Sequence, residues 1–433
     1  MIIKKIEIEN FKGIEKVEFK FAEKFNLIAG NNGTGKTSAL EAIIVALGAL
    51  LSGIDGVKSI HFTKDEIRRE KELLGDGSTN IRYKTPVTVK CELVLDGTDF
   101  EFTRRKVSVK SSRSTIEPRD ICRKANELIS NSESILPVVS YQSFSRIANQ
   151  KRDKWSNPFG DDFSRSVGYT DCLEDASNTK MLQNWCKKME EVSWQLDKKI
   201  AEYEAVKKAV SKFMSIMLED DNIRVYYDKR MDELVYSNSK EDLPIRILSS
   251  GFRTLIGMVY DISYRMAILN PNLRKNIVDE TPGIVLIDEI DMHLHPKWQW
   301  KISEALKETF PKVQFITTTH SPIVLSSCKN DRIIILDNDE NNNLEIEYEE
   351  SKKGWQINDV LEKVMETSNR DPETEKQLDR LSVLAKKKMS RTMEEKELEE
   401  YNGLISEIKS LLPEGDIAIE KAALLSIKEL IGE

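Results

Sequence analysis

The run Gly30-Asn31-Asn32-Gly33-Thr34-Gly35-Lys36-Thr37 fits the pattern G-x-x-x-x-G-K-[ST]; it lies between the apolar segment Phe25-Asn26-Leu27-Ile28-Ala29 and a helical pattern that starts at Ser38. A strand, a glycine loop and a helix in that order are what a phosphate cradle requires. The glycines let successive backbone N–H groups turn inward around phosphate oxygens, Lys36 adds a point charge, and the Thr37 hydroxyl can reach Mg²⁺. Gly30 to Thr37, with Ser38 in the first helical turn, are therefore the expected ligands of a nucleotide's phosphates, and ATP and Mg²⁺ the expected cofactors.

Gly283-Ile284-Val285-Leu286-Ile287 is an apolar run too short for most helices, and it ends in Asp288-Glu289. It reads as a buried parallel strand with two carboxylates at its C-terminal end. The two carboxylates divide two tasks. Asp288 is the expected Mg²⁺ ligand, directly or through water, and Glu289 the expected general base for the water that attacks the γ-phosphate. A third strand, Val313-Gln314-Phe315-Ile316-Thr317-Thr318-Thr319, runs into His320 about thirty residues later, a spacing that fits one helical crossover from Pro296 to roughly Thr309. His320 is then expected beside the same phosphate, donating to it and helping to hold Glu289 in place.

Leu248-Ser249-Ser250-Gly251 precedes the helical pattern Phe252-Arg253-Thr254-Leu255-Ile256-Gly257-Met258-Val259, which sets a serine hydroxyl and free N–H groups at a helix N-terminus. Such an end binds anions. One subunit already has its phosphate ligands at Gly30 to Thr37, so a second anion site suggests a second nucleotide. The expected arrangement is two subunits head to tail, each ATP lying between the phosphate loop of one and Ser249 and Gly251 of the other.

The chain has 433 residues, 32% charged and 39% hydrophobic, enough for two or three cores of ordinary globular composition. No stretch reads as a membrane span and the N-terminus lacks a signal peptide, so the expected location is the cytoplasm. Five cysteines without a C-x-x-C pair point to reduced thiols and away from zinc. His293 and His295, beside Asp291 in the loop before the crossover, are read as loop residues and not as a metal site. A net charge of −8 gives no support for binding nucleic acid over the whole surface. The best local candidate for touching DNA is Arg104-Arg105-Lys106 with Lys110, Arg113, Arg119, Arg123 and Lys124, although charges at strand or helix spacing are usually a solvated surface face.

Between Met181 and Met217 the residues Leu182, Trp185, Met189, Val192, Leu196, Ile200, Tyr203, Val210 and Phe213 form an apolar stripe, expected as one long helix or a helix pair. Strands are expected at 223–227 and 233–236. Asp337-Asn338-Asp339 after an apolar strand would suit a Toprim nuclease, but the following residues 370–433 are charged and helical in pattern, as in Ala418 to Leu425, and supply no further α/β lobe.

The order of phosphate loop, Leu-Ser-x-Gly, Leu-Ile-Asp-Glu and Thr-Thr-His-Ser resembles the ABC-type ATPases of the RecF and SMC group; Ile6 to Ile14 is similar to that group's first strand. Arg165 to Leu173, Leu248 to Arg253, and Asp288-Glu289-Ile290-Asp291-Met292-His293-Leu294-His295-Pro296-Lys297-Trp298-Gln299 resemble a narrower set, the PtuA-like ATPases of Septu and retron-associated anti-phage systems. The resemblance covers roughly residues 1–370. It implies an α/β fold: an ABC-type P-loop ATPase head with a compact helical insertion and a helical C-terminal tail. The implied parts are a head half at 1–150, an insertion at 151–222, a second head half at 223–350 and a tail at 351–433 for docking or self-association. It also implies that Asp291 is the D-loop aspartate, that Gln142 is the Q-loop glutamine touching Mg²⁺ or the attacking water, and that Arg253 is a signature-helix arginine. Relatives often carry a Tyr-Tyr-Gly-Thr type segment near Gln142 and aspartate where this chain has Ser250, so here the pattern departs. The implied function is an ATPase that self-associates and regulates a separate HNH nuclease, meeting DNA through that complex. The alternatives are a repair ATPase acting on DNA directly and an ATPase–nuclease in one chain.

Overall fold

The computed structural model describes residues 1–73, 78–143, 164–174, 179–339, 343–349, 351–390, 392–413 and 416. The first half runs β1 (Ile2–Phe11), β2 (Ile14–Lys20), β3 (Phe25–Gly30), α1 (Lys36–Leu51), β4 (Arg69–Leu73), β5 (Thr79–Tyr83), β6 (Val87–Leu95), β7 (Thr98–Lys106), β8 (Thr115–Glu117), α2 (Asp120–Ser130), β9 (Val138–Gln142), α3 (Thr179–Gln195) and α4 (Ala201–Leu218). The chain continues with β10 (Arg224–Asp228), β11 (Glu233–Ser237), β12 (Asp242–Pro244), α5 (Ser250–Leu269), α6 (Ile277–Glu280), β13 (Gly283–Ile287), α7 (Pro296–Gln299), α8 (Ile302–Thr309), β14 (Val313–Thr318), α9 (Pro322–Ser327), β15 (Arg332–Asn338) and β16 (Leu344–Glu349).

The chain divides into two compact units, residues 1–355 and 356–433. In the first, a six-stranded sheet has the order β16-β15-β3-β14-β13-β9. Its strands from β15 to β9 are parallel and β16 is antiparallel to β15. The apolar runs of β3, β13, β14 and β9 are buried on both faces, as parallel strands covered by helices must be. A second, antiparallel sheet has the order β2-β1-β6-β7-β8. Helix α1 touches both sheets, through β1, β6 and β7 of one and β3 and β14 of the other. That position explains why it is apolar almost all round and has no solvent stripe.

The alternation of β7 corrects one expectation. Successive side chains on a strand point to opposite faces, so Arg104 and Lys106 turn inward and are buried while Arg105 stays exposed. The Lys106 Nζ donates to the Phe62 carbonyl at 2.8 Å and the Arg104 guanidinium meets Ser114 Oγ at 2.7 Å. The basic stretch read from the sequence is thus split, and two of its cations are internal.

The apolar stripe from Met181 to Met217 forms a helix pair, α3 and α4, broken near 196–200. Trp185, Tyr203, Val210 and Phe213 are buried, whereas Leu196 and Trp194 at the turn are 61% and 78% exposed. Trp185 packs edge-on against Tyr203 and also against Tyr264 of α5.

The second unit contains α10 (Ile357–Lys363), α11 (Pro372–Met389) and α12 (Glu395–Leu411). Asp371 caps α11 by accepting from the N–H groups of Glu373 and Thr374, and Glu394 and Glu397 form a capping box on α12. Leu381, Leu384, Ala385, Tyr401 and Ile408 form the core between these two helices. The helical pattern expected at Ala418 to Leu425 lies outside the described residues. Among the described residues, no helix is long and apolar enough to cross a membrane.

Candidate active site

In the order β3-β14-β13-β9, four adjacent parallel strands end on the same edge of the sheet, which is where open α/β sheets bind ligands. Gly30 ends β3, Thr318 ends β14, Asp288 follows β13, and Gln142 ends β9. The phosphate loop and the acidic strand are therefore separated by β14, whose last residues, Thr317 to His320, run between them.

The loop has the backbone that a phosphate cradle needs. Gly30, Gly33 and Gly35 all have positive φ, and a Cβ on Gly30 would lie 2.2 Å from the Leu336 carbonyl oxygen. Gly35 is the N-cap of α1 and offers no side-chain cap, so the first N–H groups of the helix stay free for an anion. Lys36 is buried and donates to the carbonyls of Gly30 at 2.9 Å and Asn31 at 2.7 Å. Burial lowers its pKa, against the opposing pull of Asp288, Glu289 and Asp291. Asn31, Asn32, Gly33 and Thr37 are exposed, Thr34 is buried, and Ser38 is half-buried.

Thr37 and Asp288 meet directly, the hydroxyl lying 3.0 Å from the nearer carboxylate oxygen. Both are hard oxygen donors, so this pair fits Mg²⁺, which when bound would neutralise phosphate charge. Among the described residues there is no cluster of three or more His, Cys, Asp or Glu side chains suited to a metal. A Mg²⁺ ion that keeps waters and phosphate oxygens needs no such cage.

Glu289 adopts φ 54°, a left-handed conformation rare for this residue type. Thr318 holds it there, since its Oγ1 accepts from the Glu289 N–H at 2.7 Å and donates to Asp288 Oδ1 at 2.6 Å. One threonine thus fixes both carboxylate residues, whereas the sequence reading gave His320 a part in holding Glu289 alone. The signal was present in the Thr317-Thr318-Thr319 run, where hydroxyls end a strand that is otherwise apolar. His320 is half-buried; its backbone N–H lies 3.3 Å from Asp291 Oδ1, and the Thr319 hydroxyl donates to the same oxygen.

Gln142 pairs with Ile287 where β9 and β13 end. It is buried at the end of β9, and its amide nitrogen donates to Ser140 Oγ at 2.7 Å and to Asp261 Oδ2 at 2.7 Å. A charged acceptor and a hydroxyl within reach hold the amide nitrogen toward α5.

Ser249 is the N-cap of α5, exposed, and its hydroxyl makes no capping hydrogen bond. It is therefore available to an anion approaching from outside. Gly251 is buried, and a Cβ there would come within 2.6 Å of the His293 carbonyl oxygen and 3.3 Å of the Trp298 ring. Phe252 packs edge-on against Trp298 with ring centroids 4.8 Å apart. The glycine thus has a packing reason inside its own subunit, besides any contact across an interface. Gly251→Ala should lower stability by about 1–3 kcal/mol without nucleotide present, the usual cost of overpacking. Chemical denaturation measures this, and an unchanged midpoint would return the glycine's role to the ligand. Arg253 is exposed, with a 3.4 Å contact to the Arg246 carbonyl.

The family model described as "AAA domain" matches residues 5–222. The chain is 29% identical over 396 residues to the "Retron Vc95 probable ATPase" of Vibrio cholerae serotype O1 biovar El Tor, covering 77% of this chain and 73% of that protein. It is 27% identical over 391 residues to the "Septu protein PtuA" of Bacillus thuringiensis, covering 84% of each. Among solved structures, an SMC head bound to the C-terminal winged-helix domain of ScpA superposes with a TM-score of 0.50 at 18% identity, over 81% of this chain and 98% of that one. That likeness concerns the fold: an α/β P-loop head of the SMC type.

Proposed function

Because the chain belongs to the AAA domain family, with the family model matching residues 5–222, we propose that it is an ATP-hydrolysing ATPase of anti-phage defence that pairs head to tail around ATP and thereby regulates a separate HNH-type nuclease. The observation that carries the ATPase part is the convergence of the glycine loop, the Thr37–Asp288 pair at 3.0 Å and Glu289 on one sheet edge. In this reading Lys36 leaves the loop carbonyls to meet the phosphates, Glu289 accepts a proton from the attacking water, and His320 donates to the γ-phosphate. Pairing is supported by the exposed, uncapped Ser249 and by two apolar side chains beside the loops concerned, Ile247 at 60% and Met292 at 38% exposure. The defence role is supported by the likeness to proteins named for retron and Septu systems, while the nuclease, and any DNA contact through it, follow from the sequence resemblance alone.

Light scattering of Glu289→Gln with and without Mg-ATP tests the pairing, with a doubling of mass expected only when ATP is present. A monomer in both conditions would overturn it. Co-expression with an HNH nuclease encoded beside it tests the regulatory part: nuclease activity that ignores both the ATPase and its Lys36→Ala variant would overturn it.

A further inference from the structure

The Gln142 amide is held by a network that belongs to α5. Asp261 Oδ2 accepts from Gln142 Nε2 at 2.7 Å, from Ser140 Oγ at 3.2 Å and from Arg265 Nε at 3.0 Å. The Arg265 guanidinium, fully buried, also donates from Nη1 to the carbonyls of Gly168 and Thr170, each at 2.9 Å. Arg265 is pinned on both sides and fixes Asp261 one helical turn before it. Gln142, at a strand end with a rotatable side chain, is then the member able to leave. There is room for it to do so, because Gln142, Thr254, Asp288 and Glu289 line one small cavity, and the Thr254 hydroxyl is buried without a partner among the described residues.

We infer that Asp261 is a positioning residue that holds the Gln142 side chain back from the phosphate pocket, so that ATP entry exchanges this hydrogen bond for one inside the cavity and thereby releases a tether on α5. The inference rests on the ATP reading of the site. It deepens that reading because α5 begins at the signature: Asp261 stands about 16 Å along the helix from Ser250 at the usual rise per residue. A contact broken beside one ATP is then felt by the helix that presents Ser249 to the other.

The test is a binding cycle in a Glu289→Gln background, where hydrolysis is suppressed and the dissociation constant for Mg-ATP can be measured at equilibrium. Asp261→Asn weakens a charge-assisted hydrogen bond that binding must break, so ATP should bind about tenfold more tightly. Ser140→Ala, which removes the other partner of the amide and leaves the Asp261–Arg265 pair intact, should tighten binding by about threefold. It carries the test if Asp261→Asn does not fold. In a Gln142→Ala background both gains should vanish, which a merely structural role for Asp261 would not produce. Weaker or unchanged binding in both variants, or a gain that persists without Gln142, overturns the inference. If the parent Glu289→Gln chain does not bind Mg-ATP at all, both the inference and the proposed function fall; a parent that binds with a flat cycle removes the inference alone.

Discussion

Glu289→Gln should leave ATP affinity within about twofold of wild type while lowering kcat by roughly 10²–10⁴-fold, the usual worth of a positioned general base. The amide has nearly the volume of the carboxylate, and the features proposed to bind phosphate are untouched: the glycine loop, Lys36, and the Thr37–Asp288 pair at 3.0 Å. The hydrogen bond that sets the residue's unusual backbone runs from its own N–H to Thr318 Oγ1 at 2.7 Å, so the side-chain change leaves it in place. What is lost is the proton acceptor. Single-turnover hydrolysis and equilibrium binding separate the two effects, and a variant that turns over at the wild-type rate would show that another group is the base.

The same residues show what a sequence can reveal and what it cannot. Gly30 to Thr37 and Asp288-Glu289 are legible because each combines a local pattern with the strand that delivers it, and a chemical role follows from residue type alone. The α/β head was legible for the same reason, since apolar strands alternate with helical crossovers. Thr318 was in plain view but looked like strand filler, because its role depends on β14 lying between β3 and β13, an order the sequence does not display. The resting partner of Gln142 was hidden for a similar reason. That partner, Asp261, lies 119 residues away on another element, and no spacing rule links the two. Gly251 read as a ligand-facing glycine alone, and the His293 carbonyl against it adds a packing reason that no spacing displays. Arg104 and Lys106 looked like surface charge because a run of basic residues hides the strand alternation that turns every second one inward.

Mixing two inactive variants should restore hydrolysis if the signature acts in trans, and this effect decides whether the site is shared between subunits. Ser249→Arg adds bulk and charge at the exposed N-cap of α5, while the phosphate loop of the same subunit remains free to bind ATP. Lys36→Ala removes the buried cation proposed to meet the phosphates and leaves the signature intact. Each homodimer then lacks a complete site. In the mixed dimer, one site joins the phosphate loop of the Ser249→Arg subunit to the signature of the Lys36→Ala subunit and is whole. At equal amounts and free exchange, half of the dimers are mixed and each has one of two sites, so turnover should peak at about one quarter of the wild-type value. Turnover measured against mixing ratio at fixed total protein should rise and fall with its maximum near equality. A flat response, with subunit exchange shown independently by labelled protein, would mean that Ser249 completes no site in a second subunit.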